Sequence, residues 1–492
     1  MKKSLIAISA IAILSISYCA ASWYTGNIIE NKMDQSMSKL INAVNQQQNI
    51  AELQMQYSNY HKGIFSSTFD LTISINKKAD LQQHQIIFSD NVTLNHGPFP
   101  LKQLFSGYLK PVMAALSYRT SQESNPTLWQ AANHQPFINL DIFIDYNSNI
   151  KINANNQPLT NYLDQNGSTI NVSSGKLALI ADKNFNQLSL NATLPHFLLE
   201  NEAIKFDVNQ IEFVLLPLND QANLASELHI DRMQFLRKQV NEEYQIININ
   251  YDNVNYLNDS GLILNNALSI DHITLHRENQ LLQLNQFTGK NIAELSEQDA
   301  NLHTELKIGN ALFGKQNLGS GELSFTINSQ PNDYITYFYP LLNNSLQRHS
   351  DQLHNLDINI DKLQWQTAQG DIEANMSAIL KGNKLLTLIK QGWLDETHLN
   401  HFEAEFNIPF RTLGYIVAQL TYSEQEQIIP QQLNDSEQNM RLLAQILLSH
   451  SPLFAMNHDQ IYTNIDVSRE NHSANINGKE MPLSYFFNMI NQ

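Results

Sequence analysis

The chain has 492 residues, 47 acidic and 30 basic, for a formal charge of −17. That balance repels polyanions, which excludes nucleic acid as a partner and disfavours adsorption to an extended anionic lipid surface. Cys19 is the only cysteine, so disulfides, thiolate metal sites and cysteine nucleophiles are excluded from the rest of the chain, which is long enough for more than one core.

Lys2 and Lys3 precede an uncharged run that reaches Trp23 and Tyr24, and the next charge is Glu30. About 20 such residues span hydrocarbon as a helix, and the basic flank keeps the N-terminus in the cytoplasm. Residues 1–24 are therefore predicted to be a single-pass signal anchor, with the body exported. Cleavage after Cys19-Ala20-Ala21 is the rival reading. The aromatic pair Trp23-Tyr24, placed as an interfacial belt, favours retention. Lipidation of Cys19 is disfavoured by Tyr18, where a small residue is needed.

Residues 25–58 read as a helical stalk that lifts the body off the membrane. Met33, Met37, Leu40, Ile41, Val44 and Ala51 follow 3- and 4-residue spacings without Pro or Gly. The stripe would pack on its own domain or pair with a second copy. Residues 59–330 read as β-rich. Phe69, Leu71, Ile73 and Ile75 alternate with polar residues, as do Ile138, Leu140, Ile142 and Ile144, and Ile150, Ile152 and Ala154 continue that phase after a potential turn at Asn147-Ser148-Asn149. Shorter runs recur at Leu188–Leu194, Leu323–Ile327 and Leu356–Ile360, and the phase change from Ile360 to Leu363 and Trp365 predicts a bulge. Residues 331–492 read as mixed α/β. Helices are predicted after Pro100 and over Tyr334–Leu346, Leu385–Trp393, Leu413–Leu420 and Leu433–Leu448, and strands over Ile461–Val467 and Ala474–Ile476. The expected fold class is α+β and β-rich: a large antiparallel, curved sheet, with helices mostly in the C-terminal half.

Four motifs resemble one family of Gram-negative envelope proteins, the YdgA/YihF-like family. They are Trp23-Tyr24-Thr25-Gly26, Tyr60-His61-Lys62-Gly63-Ile64-Phe65-Ser66-Ser67, His96-Gly97-Pro98-Phe99-Pro100 and Asn477-Gly478-Lys479-Glu480-Met481-Pro482-Leu483, in the expected order. Where this chain has Lys62, members of the family more often have Arg. The resemblance implies an inner-membrane anchor, a periplasmic body, self-association and an influence on surface motility. It implies no catalytic residues. Read physically, Gly63 is expected at a backbone conformation closed to other residues at the entry to a strand. Gly97, Pro98 and Pro100 make a rigid turn, with His96 capping it or, less simply, acting as a ligand.

Other chemistry is incomplete. Gly309 to Lys315 matches most of a phosphate-binding loop, but Gln316 stands where a hydroxyl is needed and a strand follows. His398, His401 and Glu403 are the best metal-like cluster, without a His-Glu-x-x-His frame, and read better as surface polar residues. Asp357 and Asp361 lie on the polar side of a strand. No cofactor and no metal is expected. The leading functional expectation is a non-enzymatic scaffold that binds itself or envelope partners through the apolar face of Phe69, Leu71, Ile73, Ile75, Ile138, Leu140, Ile142 and Ile144. The alternatives are a lipid-handling groove, by architectural analogy with AsmA-like proteins, and a periplasmic hydrolase.

Overall fold

The structure, a computed structural model, describes residues 17–31, 51–77, 80–100, 110–123, 125–164, 167–183, 187–218, 223–258, 261–296, 299–329, 355–380, 399–448 and 453–490, and the single positions 33, 38, 41 and 104. The described residues form a β-rich architecture of long antiparallel strands with few helices. They pack as two compact units: one of residues up to 199 with 210–226, the other of 200–209 and residues from 227 onward.

In the first unit, helix α1 occupies 17–31. Among the described residues no helix is long and apolar enough to cross a membrane; residues 1–16 of the expected anchor lie outside them. Next come β1 (Ala51–Lys62), β2 (Ser66–Lys77), β3 (Asp80–His96), β4 (Ala114–Arg119), α2 (Pro126–Ala131), β5 (Ile138–Ile144), β6 (Ile150–Asn156), β7 (Leu159–Leu163), β8 (Thr169–Val172), β9 (Lys176–Ala181) and β10 (Ser189–Glu200). The antiparallel order is β1-β2-β3-β4-β5-β6-β9-β10, and β7 pairs with β8, which in turn pairs with β10.

The stalk expected over 25–58 is corrected at its end, because β1 begins at Ala51. From there Leu53, Met55 and Tyr57 alternate with Glu52, Gln54, Gln56 and Ser58. A period of two next to a pairing strand outweighs a helical spacing that ends at the same place. Nor does the helix hold the body at a distance. Ile29 and Met33 pack on the cluster of Phe69, Val92, Leu94 and Ala114.

The turn between β5 and β6 forms where Asn147-Ser148-Asn149 suggested it. The Asp145 carboxylate accepts from the backbone N–H of Asn147 and of Asn149, both at 2.8 Å, and Ser148 takes φ 65°. Aspartate holds such turns by replacing a backbone acceptor with its own side chain.

After β11 (Ile204–Pro217) and β12 (Leu224–Arg237), the second unit continues with β13 (Glu242–Asn258), β14 (Gly261–Arg277), β15 (Gln280–Leu295), β16 (Ala300–Phe313), β17 (Gln316–Ser329), β18 (Leu356–Thr367), β19 (Gly370–Leu380) and β20 (Leu399–Pro409). Helices α3 (Phe410–Thr421) and α4 (Pro430–Leu448) follow, then β21 (Ala455–Met456), β22 (Gln460–Ser468), β23 (Ser473–Ile476), β24 (Lys479–Pro482) and α5 (Leu483–Ile490). Strands β13 to β20 pair in chain order, and β22, β23 and β24 extend the series. The predicted bulge is present: the β18–β19 register shifts between Ile360 and Leu363. Helix α5 closes one end of this sheet's apolar face, where Leu483, Phe486 and Phe487 bury against Leu356, Leu380, Leu399 and Val467. Helix α3 caps the far hairpins through Thr412, whose hydroxyl donates to Gln369 O at 3.2 Å, and Gln419, which donates to Asn317 O. The helices expected over Tyr334–Leu346 and Leu385–Trp393 lie outside the described residues.

Candidate functional site

Three of the four sequence motifs meet at one place in the first unit, around the imidazole of His96, which is fully buried. Its Nε2 lies 2.8 Å from Ser67 Oγ, and its Nδ1 lies 3.3 Å from Ile64 O. The Tyr60 hydroxyl donates to Ser67 Oγ at 2.8 Å. One assignment satisfies all three groups: Nδ1–H donates to the Ile64 carbonyl, and the Ser67 hydroxyl donates to Nε2 while accepting from Tyr60. The ring is then neutral, and burial, helped by the nearby Lys62 cation, holds its pKa below the ordinary histidine value.

Helix α1 packs on this cluster through small residues. Ser22 and Thr25 are buried, and Ser22 Oγ donates to His96 O at 3.4 Å. A Cβ on Gly26 would stand 2.5 Å from the His96 ring, so only glycine lets the helix come this close. Trp23 and Tyr24 face outward, 52% and 63% exposed. Tyr18 stacks on Phe65 with ring centroids 5.6 Å apart and donates to the carbonyl of Phe99. Lys62 pairs with Glu30 and with Asn27 Oδ1, a further tie from α1 to β1.

The turns are close-fitting. Gly97 N–H donates to Met113 O at 2.8 Å, and a Cβ there would lie 1.9 Å from Val112 O. The carbonyls of Pro98 and Pro100 accept from Val112 N–H and Leu104 N–H. Of the helix expected after Pro100, Leu104 is helical, Val112 and Met113 are not and donate instead to Pro98 O and Ile144 O, and the residues at 101–103 and 105–109 lie outside the described residues. Gly63 corrects an expectation. It has no positive φ; its N–H donates to Ser66 O at 2.7 Å, and a Cβ would stand 2.9 Å from that oxygen. The constraint is steric crowding. The left-handed position in this hairpin is Asn59, at φ 53°. The fourth motif belongs to the second unit, where Asn477 and Gly478 form the β23–β24 turn with φ 54° and 82°, as an Asn-Gly hairpin turn requires.

The proposed apolar face divides. Phe69 is core at 2% exposure, Leu71 and Ile144 pack on the same cluster, and Ile73, Ile75, Leu140 and Ile142 are half-buried. Ile138, 39% exposed, opens into a groove of about 310 Å³ with Ala154, Leu177, Ala192, Leu194 and Ile211.

A second apolar face went unread in the sequence. In the second unit, cross-strand partners form the rung Leu268, Gly289, Leu306, Leu323, Leu363, Ala374 and Phe406 over strands β14 to β20. All seven are half-buried. The neighbouring rung begins with polar side chains: Asn266 Nδ2 donates to Asn291 Oδ1 at 3.4 Å, and Asn291 Nδ2 donates to Thr304 Oγ1 at 3.0 Å. It ends with Phe325, Ile360, Met376 and Ala404. The available signal was asparagine recurring in the apolar phase of successive strands.

Apart from Asp357, the remaining described sequence candidates already have partners. Gly314 and Lys315 form the β16–β17 turn, and the Lys315 ammonium pairs with Glu426 at 2.9 Å. His401, Glu403 and Asp466 cluster on neighbouring strands, with His401 Nε2 already 3.0 Å from Glu403 Oε1; His398 lies outside the described residues. Burial raises the pKa of Asp357, while Asp361 accepts from Thr326 Oγ1.

Fold and junction define a class: a β-rich protein of long antiparallel strands whose N-terminal helix is seated on the sheet over the buried Ser67-His96 pair and Tyr60. The chain belongs to the family described as "Bacterial protein of unknown function (DUF945)", whose model matches residues 1–329. It is 24% identical to Protein YdgA of Escherichia coli (strain K12) over 414 residues, 80% of this chain and 72% of that one. It is 24% identical over 135 residues to the Escherichia coli uncharacterized protein YihF, covering 26% and 28% of the two chains. With an uncharacterized protein of Haemophilus influenzae it shares 30% identity over 129 residues, 26% and 34% of the chains. No solved structure matches. The family model spans the whole junction, and Asn477-Gly478 lies beyond it.

Proposed function

We propose that the protein is a non-enzymatic scaffold of the bacterial inner membrane, anchored by its N-terminal segment, whose periplasmic sheet takes up the acyl part of a lipid. The observation that carries this reading is the half-buried rung from Leu268 to Phe406, an apolar path across seven strands. Covering apolar surface is favourable by about 25 cal/mol per Å². An acyl chain suits a long face without positioned charges, and the groove at Ile138 supports the same use in the first unit. The Ser67–His96 pair supports a structural role over a nucleophilic one, because both residues are fully buried.

The test uses the full chain in vesicles containing a photoactivatable phospholipid. Crosslinks to peptides from β14 to β18, reduced several-fold by Leu306→Asp, are expected. Crosslinks confined to residues 1–31 would overturn the reading. Self-association is the second reading, favoured by Leu442 and Leu443 on α4, 58% and 48% exposed. Sedimentation of the double variant Leu442→Lys/Leu443→Lys as a monomer, against a wild-type dimer, would support it.

A further inference from the structure

We infer that the turns around the foot of α1 form an apolar collar seated in the membrane–water interface, so that the first unit rests directly on the bilayer. This rests on the reading of residues 1–24 as a retained anchor. Tyr18 lies inside the uncharged run, yet it stacks on Phe65 and bonds to Phe99 O. Six residues at about 1.5 Å each put Tyr18 roughly 9 Å along the helix from Tyr24, toward the bilayer interior. If Trp23 and Tyr24 mark the interfacial belt, the turns that touch Tyr18 are carried to the depth of that belt or beneath it.

The composition of these turns suits that depth. Ile64 and Phe65 in the β1–β2 turn are 50% and 37% exposed, Phe99 after β3 is 37% exposed, and Tyr146 in the β5–β6 turn is 52% exposed. With Trp23 and Tyr24 they place six large apolar side chains at one end of one sheet. The register requires a common end, because His96 pairs with Ala114 and Ala114 with Ile144. Exposed apolar groups clustered in this way mark a contact surface.

Backbone polarity is dealt with in the same turns. Gly63 N–H donates to Ser66 O, His96 N–H to Phe65 O at 2.8 Å and Gly97 N–H to Met113 O. In the β5–β6 turn the Asp145 carboxylate accepts from the backbone N–H groups of Asn147 and Asn149. Internal pairing of this kind is what a segment needs on leaving water. The partner is therefore the apolar part of a bilayer interface. With a formal charge of −17, the attachment depends on side-chain insertion, so salt leaves it unchanged.

The test reconstitutes the full chain in phosphatidylcholine vesicles on a Cys19→Ser background, with a nitroxide at Phe99→Cys or Tyr146→Cys. The control is Gln135→Cys, an exposed position beyond the opposite end of β5. The expected result is a ratio of oxygen to nickel-chelate accessibility several-fold higher at both collar positions than at the control, in low and high salt alike. Protein that floats with the vesicles but shows the same nickel-accessible signal at all three positions overturns the collar and leaves the anchor standing. Protein that does not float overturns the anchor and the collar with it. Two independent collar positions keep the outcome readable if one variant misfolds.

Discussion

The two units place the same alternating pattern on antiparallel strands and use it differently. In the first, Phe69 is 2% exposed beneath Ile29 and Met33. In the second, Leu268, Leu306 and Leu323 stay half-buried; among the described residues, α5 covers the rungs near Leu356 and α3 the far hairpins. The difference is the cover. Helix α1 can lie close because Ser22 and Gly26 present almost no side chain to His96. Alternation decides which residues share a face, and a separate element decides whether that face becomes core.

The largest expected effect breaks the covered face. Phe69→Ala should cost about 3–5 kcal/mol in unfolding free energy, as for large aromatic truncations in cores. Leu306→Ala should cost roughly half of that or less, because its side chain already keeps part of its contact with solvent. Denaturant unfolding of the two full-length variants makes the comparison. Equal losses would mean that the second face is packed as tightly as the first.

An intermediate effect is expected from the helix itself. Gly26→Leu should destabilise by about 1–3 kcal/mol through overpacking against the His96 ring. It should also open the α1–sheet contact to protease before the second unit is cut. Limited proteolysis that shows no earlier cleavage would mean that α1 is not held by this contact.

The smallest effect is a pH dependence confined to the junction. Burial, the larger cause, and the Lys62 charge lower the pKa of His96 in the folded state. The unfolded chain therefore takes up the proton first as pH falls. The stabilisation held by the neutral ring is complete above the ordinary histidine value of about 6.5 and is lost progressively below it, down to the folded value. Thermal unfolding between neutral and mildly acidic pH should show a slope that His96→Gln reduces. An identical slope in the two proteins would place the titrating group elsewhere.

Local features were legible from residue order. The Asn147–Asn149 turn, the Ile360 bulge and the helix around Leu413–Leu420 follow from turn chemistry, a phase change and a 3.6-residue spacing. The start of β1 was not, because Ala51 ends one period where Leu53 begins another. Gly63 was misread because a short motif cannot distinguish a positive φ from a crowded carbonyl. The asparagine ladder of the second unit was hidden too: one polar residue per strand becomes a row only after the register is set.

By itself, the sequence determined the strand-rich class, the absence of internal disulfides and the order of the family motifs, all of which depend on composition and near neighbours. The tertiary structure decided that Gly26, Ser67 and His96 meet across 70 positions of chain, that Phe69 is core while Leu306 stays half-buried, and that the aromatic turns share one end of a sheet. Those outcomes depend on which strand pairs with which and on which helix lies over them. Pairing is a long-range choice, made by burial and register among residues that carry no mark of one another in the linear chain.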